Sequence, residues 1–291
     1  MTAPLAAPDD SLILLIACPD RRGIVAAVTR FLSGHGGNIL DLEQHTDPAA
    51  GVFFMRAEFE RAGFAVTREQ FPAAFAPVAR RLQMQWSLHA RSDRARLALF
   101  VTRESHCLFD LLARHAAGEW NADIPLIIGN QPDLAPVARR FGIPFHLVPI
   151  TKDNKAAQER KELALLRRHR IDTVVLARYM QIVSGDFLAH YPNRVINIHH
   201  SFLPSFMGAR PYHAAHERGV KIIGATSHYV TEELDHGPII EQDVIRVTHR
   251  ESVEDFIRKG KDVEKVVLAR ALAAHLEHRV IVYRNRTVVF S

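Results

Sequence analysis

Apolar positions along the chain fall into two successive rhythms. In the first 92 residues, short apolar runs of strand length enclose two helical stretches. Ser11–Cys18 is a nearly continuous apolar run. Over Arg22–Ser33, Ile24, Val25, Val28, Phe31 and Leu32 recur as one helix face, and Gly34 closes it. Asn38–His45 alternates, with Ile39, Asp41 and Glu43 on one side against Leu40, Leu42 and Gln44 on the other, and Val52–Glu60 is a second strand-like run. Thr67–Arg81 predicts a helix capped by Thr67 with Glu69 in its first turn, although Pro72 and Pro77 work against it. Gln83–His89 completes the order βαββαβ, which predicts a ferredoxin-like sandwich.

The polar stretch RSDRAR at 91–96 reads as a linker, dividing the chain into domains 1–92 and 93–291. Beyond it, strand-like runs (Leu97–Val101, Ile124–Ile128, Phe145–Val148, Thr173–Leu176, Val195–Ile198) alternate with helical stretches (His106–His115, Asp133–Phe141, Lys155–His169, Ser184–His190). That alternation predicts a Rossmann-like, mostly parallel α/β sheet. Ile222–Val230 and Ile239–Val247 follow as strands, then a long helix over Ser252–His278 and a terminal hairpin turning near Asn285–Arg286.

Composition narrows the function classes. With 47% hydrophobic and 24% charged residues, this is a globular composition. Cys18 and Cys107 are the only cysteines, too few for a disulfide scaffold, and no Cys/His pair has zinc spacing, so no metal is expected. The first apolar run is too short to span a bilayer and no basic segment precedes it, so a cytoplasmic protein without a membrane partner is expected. The net charge of +5 resides beyond residue 92. Basic stripes interleaved with aromatics are missing, which argues against nucleic acid.

The chemistry concentrates in VINIHHSFLPSFMGARPYHAAHERG. Val195–Ile198 ends at the carboxyl edge of the predicted sheet, where open α/β sheets bind ligands. Asn197 and His199 are two apart and project from one face of an extended strand. Ser201–Gly208 reads as a loop, and Pro211 suits the first turn of a helix stopped by Gly219. In GATSHYVTEELDHGPII, Thr226 and His228 share a strand face, and Asp235 sits in a loop before Gly237-Pro238. The intervening helix and return strand leave room for Asp235 to come back to the same edge. His200 is read as structural.

Two resemblances add to this reading. CPDRRGIVAAVTRFLSGHGGNILDLEQHTD is similar to the opening of ACT domains. That resemblance implies a domain serving regulation or assembly, an amino-acid effector such as glycine or methionine at Asp20, Arg21, Arg22, Gly23 and Ile24, and a homo-oligomer. The ordered segments NIHHSFLPSFMGARPY, GATSHYV and LDHGPII resemble the 10-formyltetrahydrofolate-using formyltransferases over roughly residues 95–291. This implies a formyltransferase-type fold with Asn197, His199 and Asp235 as the catalytic set and His228 as a possible lining residue. It also implies that Arg178, Tyr179, Met180, Gln181, Ile182 and Val183 form the folate-binding loop. Tetrahydrofolate would then be part of the substrate, with no separate cofactor.

The acceptor is a separate question. By the same resemblance, members that formylate a ribonucleotide hold its phosphate on a Gly/Ser-rich loop after the first strand. Here that loop, Thr102–Cys107, has no glycine and carries Glu104. The methionyl-tRNA enzymes carry a further RNA-binding domain for which this chain leaves no room. Water remains, which implies hydrolysis of 10-formyltetrahydrofolate to formate and tetrahydrofolate, supplying formate for purine synthesis and balancing the one-carbon folate pool. The alternatives are a formyl transferase with a small amine acceptor and an amino-acid sensor that has lost activity. Neither Asp235 nor His199 is singled out as the proton shuttle.

Overall fold

The computed structural model describes residues 10–205 and 211–291, so Gly208, the expected end of the Ser201–Gly208 loop, lies outside the described residues. The chain forms two units: Met1–Asp93 with Glu277–Ile281 and Val288–Ser291, and Arg94–Leu276 with Val282–Thr287.

In the first unit the strands are β1 (Ser11–Pro19), β2 (Ile39–Asp47), β3 (Val52–Glu60) and β4 (Gln85–Ala90), with helices α1 (Ile24–Gly34) and α2 (Phe71–Leu82). The antiparallel sheet runs β2-β3-β1-β4, as βαββαβ requires. Leu14, Ile16, Met55 and Phe59 meet Val28, Leu32, Phe71 and Phe75 in its core. α2 begins at Phe71, later than predicted, because Thr67 caps a turn instead: its Oγ1 accepts from Gln70 N at 3.3 Å. Pro72 then occupies the first helical turn, where a missing N–H costs nothing. The alternation of β3 hides a second buried face. Arg56 is 3% exposed and ion-paired with Glu58 at 2.8 Å and Asp41 at 2.9 Å, and Ser11 donates to Glu58 at 2.6 Å.

In the second unit, β5 (Ala95–Val101), β6 (Ala122–Gly129), β7 (Phe145–Leu147), β8 (Thr173–Leu176) and β9 (Val195–His199) are parallel, while β10 (Ile222–Tyr229) and β11 (Ile239–Arg246) are antiparallel. The sheet order is β11-β10-β9-β8-β5-β6-β7. The helices are α3 (His106–Ala116), α4 (Ala135–Arg140, entered through a 3-10 turn at Pro132–Leu134), α5 (Lys155–Arg168), α6 (Gly185–Ala189), α7 (Pro211–Arg218) and α8 (Val253–Leu276). Ser184 caps α6 by accepting from Phe187 N. Leu163 and Leu166 of α5 and Phe187 and Leu188 of α6 bury one sheet face, whereas α8 packs on β9, β10 and β11 beside α3 and α7. None of the described helices is long and apolar enough to cross a membrane. The terminal hairpin, β12 (Val280–Tyr283) and β13 (Arg286–Val289), turns at Arg284–Asn285, one residue earlier than predicted, with Arg284 left-handed (φ 53°).

Candidate active site

β9 and β10 run antiparallel, with His199 opposite Thr226 and Asn197 opposite His228. Cross-strand partners share a sheet face, so all four side chains emerge together. Thr226 braces the chain beyond β9: its hydroxyl donates to Ser201 O at 2.9 Å and accepts from Leu203 N at 3.0 Å. Asp235 returns to the same edge in the β10–β11 loop, itself left-handed at φ 58°. Tyr229 N donates to Pro238 O at 2.9 Å, and a Cβ on Gly237 would lie 1.7 Å from Tyr229 O. Gly237 is therefore a packing requirement, because only glycine lets the loop pass this close to β10.

His199 Nδ1 lies 3.2 Å from Asp235 Oδ1, and that hydrogen bond is the leading cause holding the Asp235 carboxyl below its ordinary pKa. With Nδ1–H directed at a carboxylate, the lone pair of neutral His199 sits on Nε2. This atom is buried and has no protein partner. His228 has the opposite arrangement. Its Nδ1–H donates to Tyr229 O at 2.9 Å, so its Nε2 accepts from Asn197 Nδ2 at 3.3 Å. Burial pushes the His228 pKa below its ordinary value, which keeps it neutral and fixes Asn197 with one N–H still free. His228 Nε2 is 3.8 Å from Asp235 Oδ1.

These residues line one cleft of about 380 Å³ with all six of Arg178–Val183, joined by His200, Val230, Thr231 and Leu234. The loop is tied down along its length. Met180 N donates to Thr102 Oγ1 at 3.0 Å, Tyr179 hydroxyl to Glu162 Oε1 at 2.9 Å, and Ser184 N to Glu159 Oε1 at 2.9 Å. Met180 and Ile182 remain about half exposed, forming an apolar wall. Asp20, Arg21 and Arg22 of the first unit are exposed, Gly23 is left-handed (φ 89°) at the start of α1, and Ile24 is buried. Asp20 N donates to Gly51 O, and Arg21 to Gln83 Oε1 at 2.7 Å.

Several residues were not singled out from the sequence. His200, read there as structural, lines the cleft and stacks on His199 with ring centroids 5.1 Å apart. Arg178 NH1 donates to His200 Nδ1 and its Nε approaches Glu264 Oε2 at 3.3 Å. Glu264, 1% exposed, also accepts from Tyr212 hydroxyl at 2.6 Å and pairs with His106 Nε2 at 2.8 Å. The signal was available in α8, where Gly260, Val263, Glu264, Val267 and Leu268 form one buried stripe that places a carboxylate among core positions. His106, Cys107 and Glu264 together offer metal-ligand atoms within 4.8 Å of one another. The Arg178 guanidinium already supplies Glu264 with its countercharge, and burial pushes the Cys107 thiol well above its usual pKa.

A formyl transferase family model matches residues 95–272 and an ACT domain model residues 12–71. A Synechocystis protein named formyltetrahydrofolate deformylase is 55% identical over 278 residues, 96% of this chain and 98% of that one. The chain belongs to the formyltetrahydrofolate deformylase family. A Pseudomonas syringae deformylase of solved structure is 50% identical with a TM-score of 0.94, covering 97% of this chain and 94% of that chain. A glycinamide ribonucleotide transformylase from Symbiobacterium toebii is 29% identical with a TM-score of 0.65, covering 68% of this chain and 95% of that chain. The deformylase likeness thus spans both units, whereas the transformylase likeness spans about two thirds of the chain.

Proposed function

We propose that this chain hydrolyses 10-formyltetrahydrofolate to formate and tetrahydrofolate, with Asn197, His199 and Asp235 as the reacting set. The observation that carries the mechanism is the buried, unpartnered Nε2 of the cleft residue His199, whose Nδ1 is held by Asp235. Asp235, with its depressed pKa, is a poor base and a good orienting anion. His199 Nε2 takes a proton from water as the water oxygen attacks the formyl carbon. The free N–H of Asn197 donates to the oxyanion, a type of contact worth roughly 10²–10³ in rate. His199 then returns the proton to the folate nitrogen as the carbon–nitrogen bond breaks. Residues Arg178–Val183 provide the folate wall, their backbone reading the pterin edge. No step calls for a metal or a further cofactor.

The test is product analysis with 10-formyltetrahydrofolate as the sole substrate. Formate and tetrahydrofolate released in equal amounts, abolished in His199→Ala, is the expected result. Turnover only when a small amine is added would replace hydrolysis by transfer. The ACT match extends this proposal to a homo-oligomer whose Asp20–Ile24 loop takes an amino acid such as glycine or methionine. Light scattering and a shift in turnover with either amino acid check these points.

A further inference from the structure

Resting on the hydrolase reading, we infer that the Glu264–Arg178–His106–Tyr212 cluster is a specificity device that fills the acceptor flank of the site and reserves attack for water.

His199 stands between two flanks. The cleft walls Leu176, Tyr179 and Val183 belong to the core that α5 and α6 build. Behind Arg178, where α3, α7 and α8 meet, charged and polar side chains are packed together instead. Glu264 comes from α8, His106 from the start of α3, Tyr212 from α7 and Arg178 from the loop after β8, and Arg178 reaches His200 beside His199. The cluster is locked in place. Tyr212 lies so close to α8 that a Cβ on Gly260 would come within 2.1 Å of its ring. Arg178 adopts a left-handed backbone (φ 62°), a conformation suited to glycine. Arg170 and Arg284 share that backbone, and what sets Arg178 apart is a side chain only 13% exposed and held against Glu264 and His200.

Formyl transfer and hydrolysis begin with the same donor. In transfer, an amine nitrogen attacks the formyl carbon, the bond to the folate nitrogen breaks, and the proton lost by the amine goes to that nitrogen. In hydrolysis, water supplies both the oxygen and the proton. The two reactions differ in the room that the nucleophile needs, and the fold is shared with a transformylase. A buried carboxylate whose hydrogen bonds and charge are met by its own protein neither attracts nor admits an amine.

The test measures partition of the formyl group between water and glycinamide, a small primary amine, in the full chain. Formate and N-formylglycinamide are quantified by mass spectrometry, so the ratio is independent of overall rate. The unmodified protein is expected to give formate almost alone. Arg178→Gly/Glu264→Ala removes both charges together and relaxes the strained backbone. It is expected to raise the formylglycinamide fraction by about tenfold or more, the scale on which pockets discriminate by size. Tyr212→Ala, at a cluster residue outside the folate wall, serves if the double variant does not fold. An unchanged ratio in a variant that still turns over would overturn the inference. So would loss of all turnover in a Tyr212→Ala variant that melts cooperatively, because the cluster would then only support the reacting set. Formate release by the unmodified protein tests the hydrolase reading separately.

Discussion

Replacing Asp235 with asparagine preserves side-chain shape and removes one charge. In the proposed reaction His199 gains a proton as the tetrahedral state forms, so the His199–Asp235 contact becomes an ion pair only on the way to that state. At the observed 3.2 Å, opposite unit charges attract by about 1 kcal/mol in bulk water and about 5 kcal/mol at an effective dielectric of about 20. The Asp235 side chain is 13% exposed, which places the value between these limits. About 3 kcal/mol, or roughly two decades in rate, is the expected loss. The tautomer change adds to it. An asparagine that turns its NH₂ toward His199 makes Nδ1 an acceptor and moves the proton to Nε2, where it blocks the base. Steady-state formate release across pH measures both effects. kcat should fall by about 10²-fold with little change in KM, because the folate wall lies on a different loop. Combining Asp235→Asn with His199→Asn should cost no more than His199→Asn alone. A loss below about fivefold, or a double variant equal to the product of the singles, would refute the arrangement.

Three further outcomes follow from packing and charge. Gly237→Ala places a Cβ 1.7 Å from Tyr229 O, so the loop carrying Asp235 must move. Activity should drop by at least about 10²-fold while the melting curve stays cooperative, and a near-normal rate would remove the close approach from the argument. Burial pushes the Glu162 carboxyl up to about 7, against the Tyr179 hydrogen bond and helped by Glu159. Its folded pKa lies above the unfolded one, so its contribution is complete below pH about 4.5 and is lost as pH rises through about 7, a change of about 3 kcal/mol. Glu162→Gln should flatten that dependence in urea melts between pH 5 and 8, and parallel curves for the two proteins would contradict it. Arg56→Met strands Glu58, still held by Ser11 and by Arg91 at 3.2 Å, and should cost about 3 kcal/mol. The paired change Arg56→Met/Glu58→Gln should cost less, as equilibrium unfolding will report.

The sequence made the backbone plan legible wherever an apolar period stood alone. The βαββαβ order of the first unit and the five parallel strands of the second followed from runs such as Ser11–Cys18 and Thr173–Leu176, whose neighbours are polar or turn-forming. Asn197, His199 and Asp235 were picked out by the resemblance of three ordered segments, and the strand, helix and return strand bring them to one cleft. Residues whose role depends on long-range pairing were not legible. Arg56 and Glu58 look like the solvent face of an alternating strand, yet both are buried because the charges satisfy each other. His200 lies one residue past the end of β9 and lines the cleft, where its Nδ1 accepts from Arg178. Thr67 has the right chemistry for a helix cap and caps a turn instead, since Pro72 moves the helix start downstream.

Two of the seven described non-glycine residues with positive φ lie in the cleft. Arg178 and Asp235 both have positive φ and both line the cleft. Aspartate tolerates that conformation, whereas for arginine it costs on the order of 1–2 kcal/mol. In each case the left-handed turn aims a side chain back across the carboxyl edge: Asp235 toward His199, Arg178 toward Glu264 and His200. A relaxed backbone at either position would carry the side chain away from its partner. The strain is therefore tied to the pairing, and relief at the two sites should have opposite consequences. Asp235→Gly removes the anion that orients His199 and should lower turnover by at least about 10²-fold, while Arg178→Gly relaxes the chain and opens the acceptor flank. If the formylglycinamide fraction rose equally in both glycine variants, the division of the site into a reacting flank and an excluding flank would fail.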